Sequence, residues 1–143
     1  MKILGIDLAG SEKRKTGICI LNENLEAICF YVFKDKEILD LVKKEKPDLI
    51  SIDAPLSLPK GRKSLKRKSK IHFRECDKEL WKFGIKFFPI TLGPMRKLTE
   101  RGIKLKKILE KKIQDNRSLS WSKPRHFKNS KKTKRDRKIE KRT

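Results

Sequence analysis

The sequence predicts an α/β protein with a mixed sheet, its elements in the order β-β-β-α-β with further helices flanking the sheet. Three short apolar runs separated by polar turns open the chain. An amphipathic segment with helical spacing then precedes a fourth apolar run. This succession is typical of α/β folds, in which a crossover helix joins parallel strands.

The first three runs predict a β-hairpin followed by a third strand. The run ILGID ends at Asp7, and TGICIL resumes the apolar pattern after the charged turn SEKRK. A second polar turn, NEN, precedes LEAICFYVF. Short apolar segments bounded by polar and glycine residues are typical of strands joined by turns.

A helix is predicted from residue 35 to 46, with Asp35 as its N-cap and Pro47 just beyond its end. Its apolar positions fall at helical spacing: Ile38, Leu39, Leu41 and Val42. The run LISIDAP follows the helix, and this order predicts a strand parallel to the first.

A basic loop and two more helices are predicted next. Residues 60–70, KGRKSLKRKSK, hold seven basic residues and no acidic one, which indicates a mobile loop that is either simply solvated or contacts phosphate. The segments IHFRECDKELWKFG and PMRKLTERGIKLKKILE show helical periodicity. Their predicted core stripes are Phe73, Cys76, Leu80 and Phe83, then Met95, Leu98, Gly102, Leu105 and Leu109.

One folded domain is expected, because 143 residues with 36% hydrophobic residues can bury only a modest core. It covers residues 1–110 and is incomplete at its C-terminus, where the apolar periodicity stops. Residues 111–143 form a basic tail that is predicted to be disordered. The net charge of +22 attracts polyanions, so nucleic acid, DNA or RNA, is the expected partner.

The thiols and histidines do not predict a zinc site. Cys19, Cys29 and Cys76 form no CxxC pair, and His72 and His126 are too far apart for a zinc motif. We interpret the cysteines as buried free thiols in a reducing compartment. The sequence also lacks a run near the roughly 20 apolar residues of a membrane span, which predicts a soluble, cytoplasmic protein.

Two predicted strands end in the same way, with Ile-Asp followed by a small residue, at Asp7 and Asp53. If the strands are parallel neighbours, both carboxylates emerge at the edge of the sheet where α/β proteins bind ligands. Paired carboxylates are suited to Mg²⁺ or Mn²⁺, and such a site can promote phosphodiester cleavage. The alternative is that each aspartate only caps its own turn.

Three segments carry a family resemblance: ILGIDLAGSEKRKTGICIL, SIDAPLSLPKGR and HFRECDKELWKFGIKFFPITLGPMRKLTERGIKLKKIL. Over residues 1–110 the chain resembles a prokaryotic family of uncharacterised proteins described as predicted nucleases with an RNase H-like fold. The resemblance implies an RNase H-like mixed sheet, Asp7 and Asp53 as catalytic metal ligands, and Mg²⁺ or Mn²⁺ as cofactor.

Further positions match the family motif, namely Arg74, Asp77, Arg96 and Arg101. Asp77 is the expected third metal ligand, ahead of Glu75, whose side chain points away from that of its helix neighbours. Arginine is suited to bidentate phosphate contact, while surface salt bridging is the alternative for each. The expected nucleic-acid contacts are Lys60, Arg62, Lys63, Arg67, Arg74, Arg96 and Arg101.

Two other functions stay open. The chain could bind nucleic acid through the basic loop and the tail without turning it over. Alternatively, GIDLAGS with Thr16 and Gly17 is similar to the first phosphate loop of actin-like ATPases and sugar kinases, whose sheets are related to the RNase H-like fold.

The family continues with a strand of the form EVYPG, where this sequence has RSLSW. We predict a one-base shift of reading frame near Lys111 and Lys112, because permitted codons for SLSWS read VYPG in the next frame. The glycine is forced, since Trp121 has a single codon. The tail is then a product of the shift, and the chain as written is expected to be weakly active or inactive.

Overall fold

The computed structural model describes residues 1–115, which form a four-stranded mixed sheet and three helices. Residues 116–143, most of the predicted tail, lie outside the described residues. The elements are β1 (Ile3–Asp7), β2 (Thr16–Leu21), β3 (Ala27–Val32), α1 (Asp35–Glu45), β4 (Leu49–Asp53), α2 (Glu75–Lys82) and α3 (Gly93–Asp115). The predicted α/β class and the order β-β-β-α-β are confirmed.

The sheet has the strand order β3-β2-β1-β4. Strand β2 pairs antiparallel with both β1 and β3, and β4 pairs parallel with β1. The hairpin and the parallel crossover through α1 therefore form as the apolar pattern predicts. The carboxyl ends of β1 and β4 lie side by side as a result.

The core lies on one face of the sheet, against α1 and α3. It is a continuous cluster of aliphatic side chains: Leu4, Ile6, Leu8, Ile18, Val32, Ile38, Val42, Ile50, Leu105, Leu109 and Ile113. Both Leu105 and Leu109 are buried, which confirms the predicted stripe of the last helix. That helix continues to Asp115, so Ile113 belongs to the core although the sequence assigns it to the tail.

The start of α1 differs from its prediction. The N-cap residue is Lys34, and Asp35 is the first helical residue. Instead of an aspartate cap, Glu37 accepts hydrogen bonds from the backbone N–H groups of Lys34 (2.7 Å) and Phe33 (2.9 Å). These bonds hold the pKa of Glu37 below its usual value. The prediction of Asp35 as cap is wrong, because the helix begins one residue earlier and Glu37 bonds back to the backbone donors at and before its N-cap.

The second helix is shorter than predicted, and its predicted core stripe is wrong. Cys76, Leu80 and Phe83 are exposed, and the buried residue of α2 is Asp77. The aromatic residues of this region pack on one another instead, with ring centroids of Phe73 and Trp81 4.1 Å apart. Gly84 ends the helix as predicted, in the left-handed conformation with φ of 71°.

Residues 54–74 contain no helix or strand, and the basic loop 60–70 lies within them. Its organising residue is Arg62, whose guanidinium donates hydrogen bonds to backbone carbonyls of Ser64, Leu65, Arg67 and Ile71. Leu65 is buried. The loop is therefore folded around an arginine that the sequence assigns to nucleic-acid binding.

None of the helices within residues 1–115 has the length and apolar content of a membrane-spanning segment.

Candidate functional site

The face of the sheet opposite α1 and α3 presents three rows of side chains, because directly paired residues on neighbouring strands point to the same side. From β4 to β3, the rows are Asp53, Asp7, Gly17 and Tyr31; Ser51, Gly5, Cys19 and Cys29; and Leu49, Ile3, Leu21 and Ala27. The face thus changes from an acidic row through a row of small residues and thiols to an aliphatic row. We call it the open face.

Asp7 and Asp53 are register partners at the carboxyl ends of β1 and β4. Neighbouring strands are about 4.8 Å apart, so the two carboxylates emerge side by side on the open face. Both residues are exposed. Among residues 1–115, neither carboxylate accepts a side-chain hydrogen bond or forms an ion pair. Both charges therefore face solvent, and neither carboxylate caps its own turn through a hydrogen bond within that range.

Gly5 and Gly17 leave open space beside this pair, because neither has a side chain that would fill it. A Cβ atom at Gly17 would lie 3.3 Å from the Cβ atom of Asp7, a tighter approach than side chains normally make. A Cβ atom at Gly5 would lie 3.8 Å from that of Cys19. The result is a cleft of about 490 Å³ on the open face. Its lining includes Asp7, Asp53, Ser51, Tyr31, Cys19 and Cys29.

The acidic pair fits part of a Mg²⁺ or Mn²⁺ site. Carboxylate oxygens are the hard ligands that these cations prefer, and Mg²⁺ commonly takes only one or two carboxylates and completes its shell with water and substrate phosphate. Within residues 1–115, no group of three or more histidine, cysteine, aspartate or glutamate side chains is arranged to hold a metal. Within residues 1–115, the candidate ligands at this edge of the sheet are Asp7 and Asp53.

Asp77, the expected third ligand, is not brought to this pair. Its carboxylate accepts hydrogen bonds from Nε (3.0 Å) and Nη2 (2.7 Å) of Arg74 and from the Arg74 backbone (2.8 Å). Burial favours a raised pKa for Asp77, but the bonds from Arg74 outweigh it and hold the pKa below its usual value. The same pairing raises the pKa of Arg74. Both predicted site residues therefore neutralise each other at the start of α2.

Arg101 is also engaged inside the fold. It is 7% exposed and donates to Asp35 Oδ1 (2.8 Å), the Ala9 carbonyl (2.7 Å) and the Phe33 carbonyl (3.0 Å). It thereby joins α3 to the loop after β1 and to the start of α1. Thr16, part of the ATP-binding alternative, is fully buried beside it and accepts from the Ala9 backbone N–H. Arg101 and Thr16 are therefore both buried, and neither side chain is available to contact a phosphate at the surface.

A second cleft, of about 550 Å³, carries most of the accessible positive charge of the basic loop. Of the predicted contacts, it contains Arg62, Arg67 and Arg96. Arg96 also pairs with Glu100 at 3.4 Å. Lysines of the same loop complete the lining: Lys66, Lys68 and Lys70. We call this the basic cleft; Lys60 and Lys63 are exposed but do not line it.

Sequence reasoning missed the other polar residues of both clefts. In the basic cleft, His72 Nδ1 lies 2.7 Å from the hydroxyl of Thr91, a contact between distant segments that has no local sequence signal. On the open face, the pairing of Cys19 with Cys29 follows from the hairpin register, which strand alternation could have indicated. The interpretation of the cysteines as buried is wrong for Cys29 and Cys76, which are exposed.

The comparisons with known proteins give one result. A family model described as "Protein of unknown function (DUF429)" matches residues 5–118. The matched segment contains both clefts and every predicted site residue. No match was found among curated proteins or among solved structures.

Proposed function

Since the chain belongs to the family of unknown function DUF429, we propose its function from its own site: metal-dependent hydrolysis of phosphodiester bonds in nucleic acid, by a domain of RNase H-like type. The observation that carries the proposal is the register pairing of Asp7 and Asp53 at the carboxyl ends of two parallel strands, where both are exposed and, within residues 1–115, neither forms an ion pair. This is the edge at which α/β sheets bind ligands.

Asp7 and Asp53 would together hold Mg²⁺ or Mn²⁺, which lowers the pKa of bound water and offsets negative charge on a phosphate. The protein's own contribution is to fix the two carboxylates on rigid strands. Gly17 leaves the approach to Asp7 free of a side chain. Tyr31 ends the same row and lies beneath Lys15, whose Nζ is 5.2 Å from the ring centroid. A cation and an aromatic ring thus lie at the β3 end of the row that holds the acidic pair.

The test is cleavage of single- and double-stranded DNA, RNA and RNA–DNA hybrids with Mg²⁺ or Mn²⁺, in the full chain. Because loss of a supporting residue of a metal site already costs about 10- to 100-fold, Asp7→Asn and Asp53→Asn should each lower cleavage by at least that factor. Asp40→Asn is the matched control, since Asp40 is an exposed carboxylate on α1. Cleavage that is unchanged in Asp7→Asn would rule out this assignment.

A second candidate function, binding of nucleic acid without turnover, is favoured by the basic cleft. Its exposed cations lie on one short loop, and phosphate contacts of this kind are sensitive to salt and indifferent to sequence. The test compares the triple variant Lys66→Ala, Arg67→Ala, Lys68→Ala with a control that removes two exposed lysines of α1, Lys36 and Lys43.

Under this second function, the triple variant should bind a single-stranded oligonucleotide more weakly and show a salt dependence less steep by about one logarithmic unit per lost contact. The α1 control should bind like the unmodified chain. Equal binding by all three proteins would remove the basic cleft from the interface. Binding that persists while every nucleic acid stays intact, with both aspartates present, would favour this function over hydrolysis.

A further inference from the structure

Cys19 and Cys29 face each other across β2 and β3 in the second row of the open face. They are direct register partners on antiparallel strands, and neither forms a disulfide. Two thiols in this position are not explained by packing, since the aliphatic core lies on the opposite face of the sheet.

The backbone already meets the distance requirement for a cross-strand bond. Directly opposed residues in antiparallel strands have Cα atoms about 4.5 or 5.5 Å apart, depending on the type of pair. Disulfides span Cα distances of about 4.4 to 6.8 Å, so either type of pair fits. The two thiols can therefore join through rotation of their side chains, without a change of strand register.

The pair is also accessible to a reagent. Cys29 is exposed and Cys19 is partly exposed, and both line the cleft of the open face. Gly5, the neighbour of Cys19 in its row, has no side chain to cover that thiol. In the reduced chain, the neighbouring Cys29 thiol raises the pKa of the Cys19 thiol, and partial burial raises it further.

We propose that Cys19 and Cys29 form a site of reversible oxidation by low-molecular-weight disulfides such as oxidised glutathione. The exposed Cys29 sulfur attacks one sulfur of the reagent, whose S–S bond breaks and releases one thiol. Cys19 then attacks the Cys29 sulfur of the mixed disulfide and releases the second thiol. Two protein thiols lose two electrons and two protons, the reagent gains both, and one protein disulfide forms.

The experiment equilibrates the folded full chain with mixtures of oxidised and reduced glutathione, blocks remaining thiols by alkylation, and counts the alkyl groups by intact mass. The sequence has three cysteines, so the expected result is loss of two thiols while Cys76 is left as a thiol or a glutathione adduct. Glu23 and Glu26 separate the two cysteines. Cleavage after glutamate should therefore release a bridged pair of peptides that reductant separates.

Two variants with equal numbers of cysteines give the matched control. Cys76→Ser keeps the opposed pair and should form the internal disulfide. Cys29→Ser keeps Cys19 and Cys76 and should form only glutathione adducts. Unchanged far-ultraviolet circular dichroism of both reduced variants establishes that they are folded.

A second measurement separates a site built by the fold from ordinary thiol chemistry. In urea the strands no longer hold the thiols together, so the equilibrium constant for the internal disulfide should be at least about tenfold higher in the native Cys76→Ser protein than in its unfolded form. The proposal is overturned if native Cys76→Ser accumulates only glutathione adducts. An equilibrium constant equal or higher in urea also overturns it.

Discussion

Arg101 is the residue on which the described fold depends most visibly. Its buried guanidinium donates hydrogen bonds to one carboxylate and two carbonyls, which belong to two segments: the loop after β1 and the junction of β3 with α1. A buried charge is tolerated only when its partners are all in place, because desolvation otherwise costs several kcal/mol. The guanidinium group of Arg101 would also suit phosphate recognition, but here it joins elements of the fold. The sequence alone does not distinguish these two roles.

Arg101→Lys should therefore lower the free energy of unfolding by about 2 to 4 kcal/mol, although the charge is kept, because an ammonium group cannot reach all three acceptors. Urea unfolding followed by circular dichroism measures the loss. Arg96→Lys, on the same helix, should change stability by less than about 0.5 kcal/mol, because Arg96 is only partly buried and pairs with the partly exposed Glu100. Similar losses in both variants would contradict the central position of Arg101.

Asp77 gives a prediction for pH. Its pKa in the folded chain lies below the ordinary value, so its ion pair with Arg74 contributes stability above the unfolded pKa of about 4, and that contribution disappears as pH falls through the folded pKa. Asp77→Asn should cost about 2 kcal/mol at pH 7. The difference between the two proteins should shrink as the pH drops below about 4.

Thermal or urea unfolding between pH 7 and the acid limit of solubility checks this pH dependence. Glu79→Gln is the control, since Glu79 lies on the same helix and forms an exposed pair with Lys82. That variant should track the unmodified chain at every pH within about 0.5 kcal/mol. A constant difference between Asp77→Asn and the unmodified chain down to pH 2 would contradict the assigned titration.

Among the elements, α3 meets the loop after β4 at Gly102. A Cβ atom there would lie 3.0 Å from the carbonyl oxygen of Pro55 and 3.2 Å from the Cβ atom of Ala54. Both contacts belong to the segment that directly follows Asp53, so the close packing of helix and loop helps to position the acidic pair.

Gly102→Ala tests this packing. Alanine should stabilise an isolated helix by about 1 kcal/mol, but the contact with a backbone carbonyl should cost about 1 to 3 kcal/mol, so a net loss is expected. Urea unfolding measures whether the free energy of unfolding falls or rises in this variant. Lys104→Ala is a control at an exposed position of the same helix. A gain in stability for Gly102→Ala would show that the loop after β4 can move aside without a loss of free energy.

The predictability of the elements follows from how each one buries its apolar face. In β1 to β4, α1 and α3, apolar periodicity coincides with burial against one common core, and the sequence predicts these elements within a few residues. In α2 the same periodicity misleads, since Trp81 and its aromatic neighbours form a local cluster and Phe83 remains 78% exposed. Spacing indicates a helix there but does not indicate what it packs against.

The candidate site could be predicted from the sequence only where a local pattern was sufficient. Asp7 and Asp53 end similar strands, and one crossover helix brings them together. The basic cleft and the engagement of Arg101 depend on contacts between segments far apart in sequence, which no local pattern encodes. Arg74 and Asp77 pair with each other and are only three residues apart. Their burial, which the sequence does not show, makes the pair part of the fold and not of the site.

The end of the chain carries a prediction at the level of the gene. The family match ends at residue 118, close to the predicted shift of reading frame near Lys111 and Lys112, although Ile113 still packs in the core. Sequencing the gene from codon 105 onward should show EVYPG in the plus-one frame across Arg117 to Trp121. If that frame does not encode EVYPG, the shift is excluded, and the basic residues after 110 belong to the protein as a nucleic-acid-binding arm.

Binding of a divalent cation by the paired aspartates of the open face can be measured by titrating the full chain with Mn²⁺ and following electron paramagnetic resonance. The unmodified chain and Asp40→Asn should bind Mn²⁺ with equal affinity, while Asp7→Asn and Asp53→Asn should each weaken binding at least about tenfold. Excess Mg²⁺ should displace the bound Mn²⁺. Mn²⁺ affinity that is the same in all four proteins would exclude a cation site at Asp7 and Asp53.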